Sequence, residues 1–120
     1  MNSKPFTNLE VWNKSRVLVK EIYNLTKNFP KEEMFALTSQ IRRSTISIPS
    51  NIAEGIGRRS AKENLQFLYI ARGSLYEVET QIILSFDLGF INAEQHQDLL
   101  SKIEECKRLL HGFINYCKTK

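Results

Sequence analysis

Apolar residues recur along the chain at steps of three and four positions, the spacing of one face of an α-helix, and no stretch alternates convincingly with a period of two. This pattern predicts four helices, at about residues 8–28, 30–55, 60–88 and 92–117. The connections between them are short, and short links between long helices require antiparallel neighbours. We therefore expect an all-α fold, an antiparallel up-down-up-down four-helix bundle, in one domain over residues 1–120.

Local signals mark the ends of these helices. Three pairs of residues have the spacing of capping boxes at helix starts: Thr7 with Glu10, Ser60 with Glu63, and Asn92 with Gln95. The second helix is predicted to begin near Pro30 and to stop at Gly55 and Gly57. Inside it, the ring of Pro49 would press on the carbonyl of Thr45, so we expect a kink or a break there.

Helix 3 carries two apolar seams, although a monomeric bundle needs only one. The second, which we call the tyrosine seam, consists of Tyr69, Gly73, Tyr76, Thr80 and Ile83. It predicts a subunit contact, because a small bundle that exposed these residues would present a sizeable apolar patch to water. The alternative interpretation is that helix 3 is simply central in the core.

Helix 2 has a polar stripe at helical spacing, made of Gln40, Ser44, Ser47, Asn51 and Glu54. Exposed helix faces usually carry long polar side chains, whereas Ser and Asn disfavour a helix interior. Small hydroxyl and amide groups allow close helix approach, so the stripe predicts a tight subunit seam or the lining of a central channel. Alternatively, it only satisfies the groups that the proline frees. The predicted subunit interface comprises Gln40, Ser44, Ser47, Asn51, Tyr69, Gly73 and Tyr76.

The chain has 17 Lys and Arg residues against 13 Asp and Glu, a net charge of +4, and the excess is localised. Between residues 42 and 72, six basic residues face two acidic ones, and the planar group of the prevailing arginine suits phosphate. Three of these cations surround the start of helix 3, where free N–H groups also favour an anion. The candidate nucleic-acid-binding residues are Arg58, Arg59 and Lys62, with Arg42 and Arg72 in support. The alternative is a solvated loop that only keeps the protein in solution.

Charged residues of helices 2 and 3 also admit a structural role, in which acids and bases pair between the two helices. We expect Arg43, Glu54 and Glu77 to form such a polar network, with Arg72 as a further possible partner. Paired charges of this kind fix the register of helices even where they stabilise them little. A two-carboxylate nuclease built on Glu54 and Glu77 is the less favoured, enzymatic alternative.

No set of residues predicts catalysis, a metal site or a cofactor. His96 and His111 lie fifteen residues apart without a Glu-x-x-His arrangement. Cys106 and Cys117 belong to the apolar seam of helix 4, which predicts buried, inert thiols. No run is apolar enough for a membrane span, and the amino terminus lacks an apolar signal core, so we expect a cytoplasmic protein.

Three segments are recognisable together: Gln40–Arg43, Ser47–Gly55 and Ala71–Glu77. From about Leu9 to Tyr116, the chain resembles the bacterial four-helix-bundle family of proteins encoded in intervening sequences of 23S ribosomal RNA genes. It also resembles the related accessory protein of diversity-generating retroelements. The resemblance implies a ring of subunits, with a pentamer as the expected form, that binds nucleic acid and has no enzymatic activity.

We therefore expect a non-enzymatic, ring-forming protein that binds the backbone of RNA, in preference to DNA, without a cofactor or a membrane. Five copies would raise the charge of +4 to about +20, so that several phosphate contacts act together and binding weakens with salt. The competing hypothesis is a protein–protein assembly scaffold without nucleic-acid binding. Its docking surfaces would be the polar stripe of helix 2 and the tyrosine seam of helix 3.

Overall fold

The computed structural model describes residues 5–119, and in this range the chain is helical and contains no strand. The four α-helices are α1 (Glu10–Thr26), α2 (Leu37–Ile56), α3 (Ala61–Asp87) and α4 (Ala93–Lys118). Short 3-10 turns at Phe6–Asn8 and Lys31–Glu33 precede α1 and α2. The predicted all-α four-helix bundle is confirmed.

The helices pack around one apolar core in the order α1, α2, α3 and α4, with α4 closing against α1. Within the described residues, the diagonal pairs have no close backbone contact, and the α2–α3 contact is the most extensive of all. Each fully buried aliphatic side chain contributes about 1.5–3 kcal/mol relative to an exposed one. These side chains come from all four helices: Leu18, Ile22, Ile41, Ile48, Ile52, Leu68, Leu75, Val78, Ile82, Ile103, Leu110 and Ile114. The antiparallel order of the neighbours stays a prediction.

At two of the three predicted capping boxes, the first residue caps a helix as predicted. The Ser60 hydroxyl accepts the N–H of Glu63 at 3.1 Å and caps α3. At the start of α4, Asn92 and Gln95 exchange side-chain and backbone bonds of 2.8 and 2.9 Å, which is a complete capping box. Both caps satisfy N–H groups that have no partner inside the helix, so they set where each helix begins.

The predicted capping box at Thr7 and Glu10 is wrong. Thr7 lies inside the 3-10 turn, and the extended backbone of Leu9 (φ −81°, ψ 129°) separates this turn from α1, which has no side-chain cap. Instead, Nδ2 of Asn13 donates to the carbonyl of Thr7 at 2.8 Å and so fixes the turn against the helix.

The predicted start of the second helix at Pro30 is also wrong. The backbone of Ala36 (φ −125°, ψ −107°) is outside the helical region, so α2 begins only at Leu37. The carboxylate of Glu33 accepts the N–H of Leu37 at 3.2 Å. Pro49 lies within α2 without breaking it, and a kink at this residue stays a prediction.

Candidate nucleic-acid interface

The connection between α2 and α3 spans only residues 57–60 and is fixed at both ends. Ser60 caps α3, while Nδ2 of Asn64 donates to the carbonyl of Gly55 and, at 3.1 Å, to the carbonyl of Arg58. The first bond satisfies a carbonyl in the last turn of α2, and the second fixes the connection itself. The side chains of this connection therefore project from a backbone that hydrogen bonds hold in place.

Three cations project from the connection and the first turn of α3, and they differ in their partners. Nη2 of Arg58 lies 2.6 Å from Oε2 of Glu54, and its guanidinium lies 4.7 Å from the centre of the Phe67 ring. Arg59 and Lys62 are exposed and form no ion pair within the described part of the chain. A phosphate can therefore meet Arg59 and Lys62 without breaking an ion pair, beside the free N–H groups at the start of α3.

Arg42 is not part of this site. Its Nε donates to Oγ1 of Thr26 at 2.8 Å, and its guanidinium lies 4.6 Å from the centre of the Tyr23 ring, so it joins α2 to α1. Arg42 and Arg58 are sixteen residues apart, which corresponds to about 24 Å along a helix.

Arg72 borders a groove of about 560 Å³ between α3 and α4, and its guanidinium lies 4.8 Å from the centre of the Tyr69 ring. Lys107, which also borders this groove, lies 2.9 Å from a carboxylate oxygen of Glu79 and 3.5 Å from one of Glu104. Burial lowers the pKa of Lys107, but the hydrogen bond to Glu79 and the two acidic charges outweigh burial, so the pKa is raised. The five predicted cations thus lie at three separate places.

The polar stripe of helix 2 is used inside the chain. Oγ of Ser47 lies 2.8 Å from Oγ of Ser74 on α3, and Nδ2 of Asn51 donates to Oγ and to the carbonyl of Ser47 at 2.8 Å. Ser44 is buried as well, whereas Gln40 is exposed. The stripe therefore forms a hydrogen bond between helices, but with a helix of the same chain. A subunit contact through these residues stays a prediction.

The tyrosine seam of α3 faces outward in the single chain. Tyr69 is half-buried against the core, and Tyr76 is 53% exposed. The remaining residues of the seam are exposed: Gly73, Thr80 and Ile83. The interpretation of helix 3 as simply central in the core is thus wrong for one chain, and the seam is free to serve as a subunit contact.

The predicted network of Arg43, Glu54 and Glu77 does not form within one chain. Glu54 pairs with Arg58, and Arg43 and Glu77 are exposed without an ion pair among residues 5–119. The reason is that α2 and α3 approach through small hydroxyl residues, which leaves the long charged side chains at the solvent edge. There, hydration competes with pairing.

The cysteines and histidines lie in different surroundings, and Cys117, which was predicted to be buried, is only half-buried. Cys106 is buried, and burial, together with the charge of Glu105, raises the pKa of its thiol to about 11. The ring of His96 stacks on Phe86 at 4.3 Å, and His111 lies on the exposed face of α4. Among residues 5–119, no three His, Cys, Asp or Glu side chains are grouped as metal ligands. None of the described helices combines the length and apolarity that a membrane crossing needs.

Sequence reasoning missed one surface, the groove between α1 and α2. Phe35 is 96% exposed beside it. Arg16, Lys20 and Lys27 recur on one side of α1 at intervals of four and seven residues. The opposite face of this helix is apolar. The regular spacing of the cations was therefore the sequence signal from which this surface could have been predicted.

Solved structures of known proteins share this architecture. A crystal structure of a protein of unknown function from Bacteroides thetaiotaomicron, from the S23 ribosomal protein family, matches with a TM-score of 0.80 at 30% sequence identity. The match covers 87% of this chain and 97% of that chain. No curated protein is significantly similar in sequence. Residues 7–112 match the family described as 23S rRNA-intervening sequence protein. The predicted resemblance is confirmed, and the chain belongs to the 23S rRNA-intervening sequence protein family.

Proposed function

We propose that this protein is a cytoplasmic, non-enzymatic nucleic-acid-binding protein that contacts the phosphate backbone through Arg59 and Lys62. The observation that carries the proposal is that both cations are exposed and unpaired at the start of α3. Arg58 adds a third positive charge, but it is paired with Glu54, so a phosphate would have to compete with that carboxylate. RNA, in preference to DNA, is the partner that we propose.

Assembly makes this small site effective. One chain of 14.0 kDa with a net charge of +4 binds a polyanion weakly, whereas a ring of five copies would present the same site five times at about +20. Several phosphate contacts then release counterions together, which makes binding tight at low salt and strongly dependent on ionic strength. The outward tyrosine seam of α3 supports such an assembly, because its apolar residues gain by being covered.

The test reverses the two unpaired charges in the double variant Arg59→Glu with Lys62→Glu. We expect weaker RNA binding in fluorescence anisotropy and a shallower slope of log K against log salt, by about two units for each subunit that contacts the RNA, since each phosphate contact contributes nearly one unit. The matched control is Arg108→Glu with Lys118→Glu, two exposed cations of α4 that undergo the same change in charge. Equal losses in the two double variants would remove the Arg59–Lys62 site from the proposal.

A protein–protein scaffold is the second candidate, because the outward tyrosine seam would also suit a partner protein. The two functions differ in what purified protein carries. A nucleic-acid-binding ring has a mass near five chains by light scattering and carries nucleic acid when it is purified at physiological salt, as its absorbance ratio reports. A scaffold has little affinity for RNA at physiological salt.

A further inference from the structure

Two neighbouring surface pockets lie between α1 and α2, and together they form the α1–α2 groove. Two cavities, of about 430 Å³ and 320 Å³, open there, and Ile46 lines both of them. Their volumes match those of small-ligand pockets, which begin at about 300 Å³. The first cavity contains Tyr23 and Phe35 on its wall, and the second contains Trp12. The groove therefore offers aromatic surface along a path shared by two helices.

Phe35 is the unusual residue of this groove. Its side chain is 96% exposed, although a phenylalanine in water gains free energy whenever its ring is covered. The residue precedes α2 and packs against no other ring of the described chain. A flat partner could stack on it without displacing anything.

The rim of the groove is basic. Arg43 lines the first cavity and Arg16 the second, and Lys20 and Lys27 lie on the same side of α1 as Arg16. None of these four cations forms an ion pair within the described residues. No residue that lines either cavity is acidic, and Glu21 of α1 is bound to Lys102 of α4 at 2.5 Å. The groove therefore favours an anion.

Thr38 adds a polar group to the first cavity. The residue is 2% exposed, and its hydroxyl has no hydrogen-bond partner within the described chain. A buried hydroxyl without a partner is costly, so a ligand that bonds to it is favoured.

We propose that the α1–α2 groove binds single-stranded nucleic acid, with a base stacked on Phe35 and phosphates held by Arg16 and Arg43. The inference rests on the proposed function and adds to it the strand type and a second site. Aromatic rings beside unpaired cations form the stacking platform of single-strand binding proteins, in which bases stack and cations follow the backbone. The basic rim and the absence of acidic lining residues favour a polyanion over a second copy of the chain, and the particle mass measured below tests for that second copy.

The experiment titrates the full-length protein with an oligouridine of about 15 nucleotides, within the site sizes of single-strand grooves, and with an RNA duplex of equal length. Trp12 is the only tryptophan and lies in the groove, so its fluorescence reports occupancy directly. Phe35→Ala should weaken oligouridine binding by about 5- to 150-fold, the range that one lost base stack implies. Phe35→Tyr, which keeps the ring, should retain the affinity.

Two further variants separate stacking from a general loss of apolar surface. Phe35→Leu keeps an apolar side chain but removes the ring, and it should behave like Phe35→Ala. Leu88→Ala removes another exposed apolar side chain, at the end of α3, and should change nothing. Two results together support the groove as a single-strand site. Oligouridine, but not the duplex, quenches Trp12 fluorescence, and only Phe35→Ala and Phe35→Leu weaken oligouridine binding.

Three outcomes overturn the inference, and they identify what fails. In the first, oligouridine binds without changing Trp12 fluorescence, every Phe35 variant keeps the wild-type affinity, and the Arg59→Glu with Lys62→Glu variant loses binding. This outcome removes the groove from the inference and leaves the proposed function standing. No binding of any RNA by the wild-type chain at low salt removes both. A lower particle mass of Phe35→Ala, with unchanged affinity, shows that a second copy covers the groove instead.

Discussion

Gly55→Ala should destabilise the protein, although alanine is the better helix former. Gly55 is buried near the end of α2, against residues of α3. A Cβ atom at this position would lie 3.0 Å from the backbone oxygen of Asn64 and 3.2 Å from Cβ of Phe67. Both contacts are tighter than about nine in ten of the contacts that Cβ atoms make in proteins. The backbone of α3 would have to move to relieve them.

The magnitude follows from two opposing contributions. Replacing glycine by alanine in a helix gains about 0.5–1 kcal/mol, because the unfolded chain loses freedom. Overpacking a tight contact costs about 1–3 kcal/mol, since the neighbouring backbone shifts. That shift also strains the bond from Nδ2 of Asn64 to the carbonyl of Gly55. We expect a net loss of about 0.5–2 kcal/mol in the free energy of unfolding.

The assay is equilibrium urea unfolding followed by circular dichroism, at one protein concentration because assembly shifts apparent stability. Gly112→Ala is the matched control, since a Cβ at this position of α4 meets no atom within 4 Å. The control should gain about 0.5–1 kcal/mol. If Gly55→Ala gains as much as Gly112→Ala, the close approach of α2 and α3 at Gly55 is refuted.

Two further predictions concern buried polar groups. In a double-mutant cycle, Ser47→Ala and Ser74→Ala should couple by about 1 kcal/mol, and additive losses would contradict the bond between the hydroxyls. Burial raises the pKa of Cys106 from 9.0 to about 11, so between these pH values the folded chain holds more protons than the unfolded one. Stability present below pH 9 should therefore fall, by about 3 kcal/mol at most, as the pH rises toward 11. Urea unfolding across this range should show a smaller fall in Cys106→Ala, and an equal fall would assign the effect to other groups.

The sequence by itself determined the features that depend on a few neighbouring residues. Apolar residues three and four positions apart set the number of helices and their core faces. Ser60 and Asn92 set two helix starts, because a cap needs only a side chain and an N–H group three residues away. The family signature is local in the same sense, since Ser47–Gly55 lies within one helix.

The tertiary structure decided which polar residues have partners. Ser47 and Asn51 suggested a contact between subunits, yet Ser47 bonds to Ser74, 27 positions away in the chain. The proposed phosphate site likewise reduces to Arg59 and Lys62 because Arg58 is paired with Glu54. Spacing along a helix identifies a face, whereas the element packed against that face is a property of the whole bundle.

The α1–α2 groove is a second feature that the sequence alone does not predict. Its cations lie on one helix at regular spacing, but the aromatic Phe35 comes from a turn that the sequence placed inside the second helix. The backbone of Ala36 ends that turn outside the helical region, and this leaves the ring in water. Hydrophobic periodicity indicates which residues are buried. It does not indicate that the Phe35 ring stays exposed beside unpaired cations, because the groove that brings them together forms only when α1 and α2 pack.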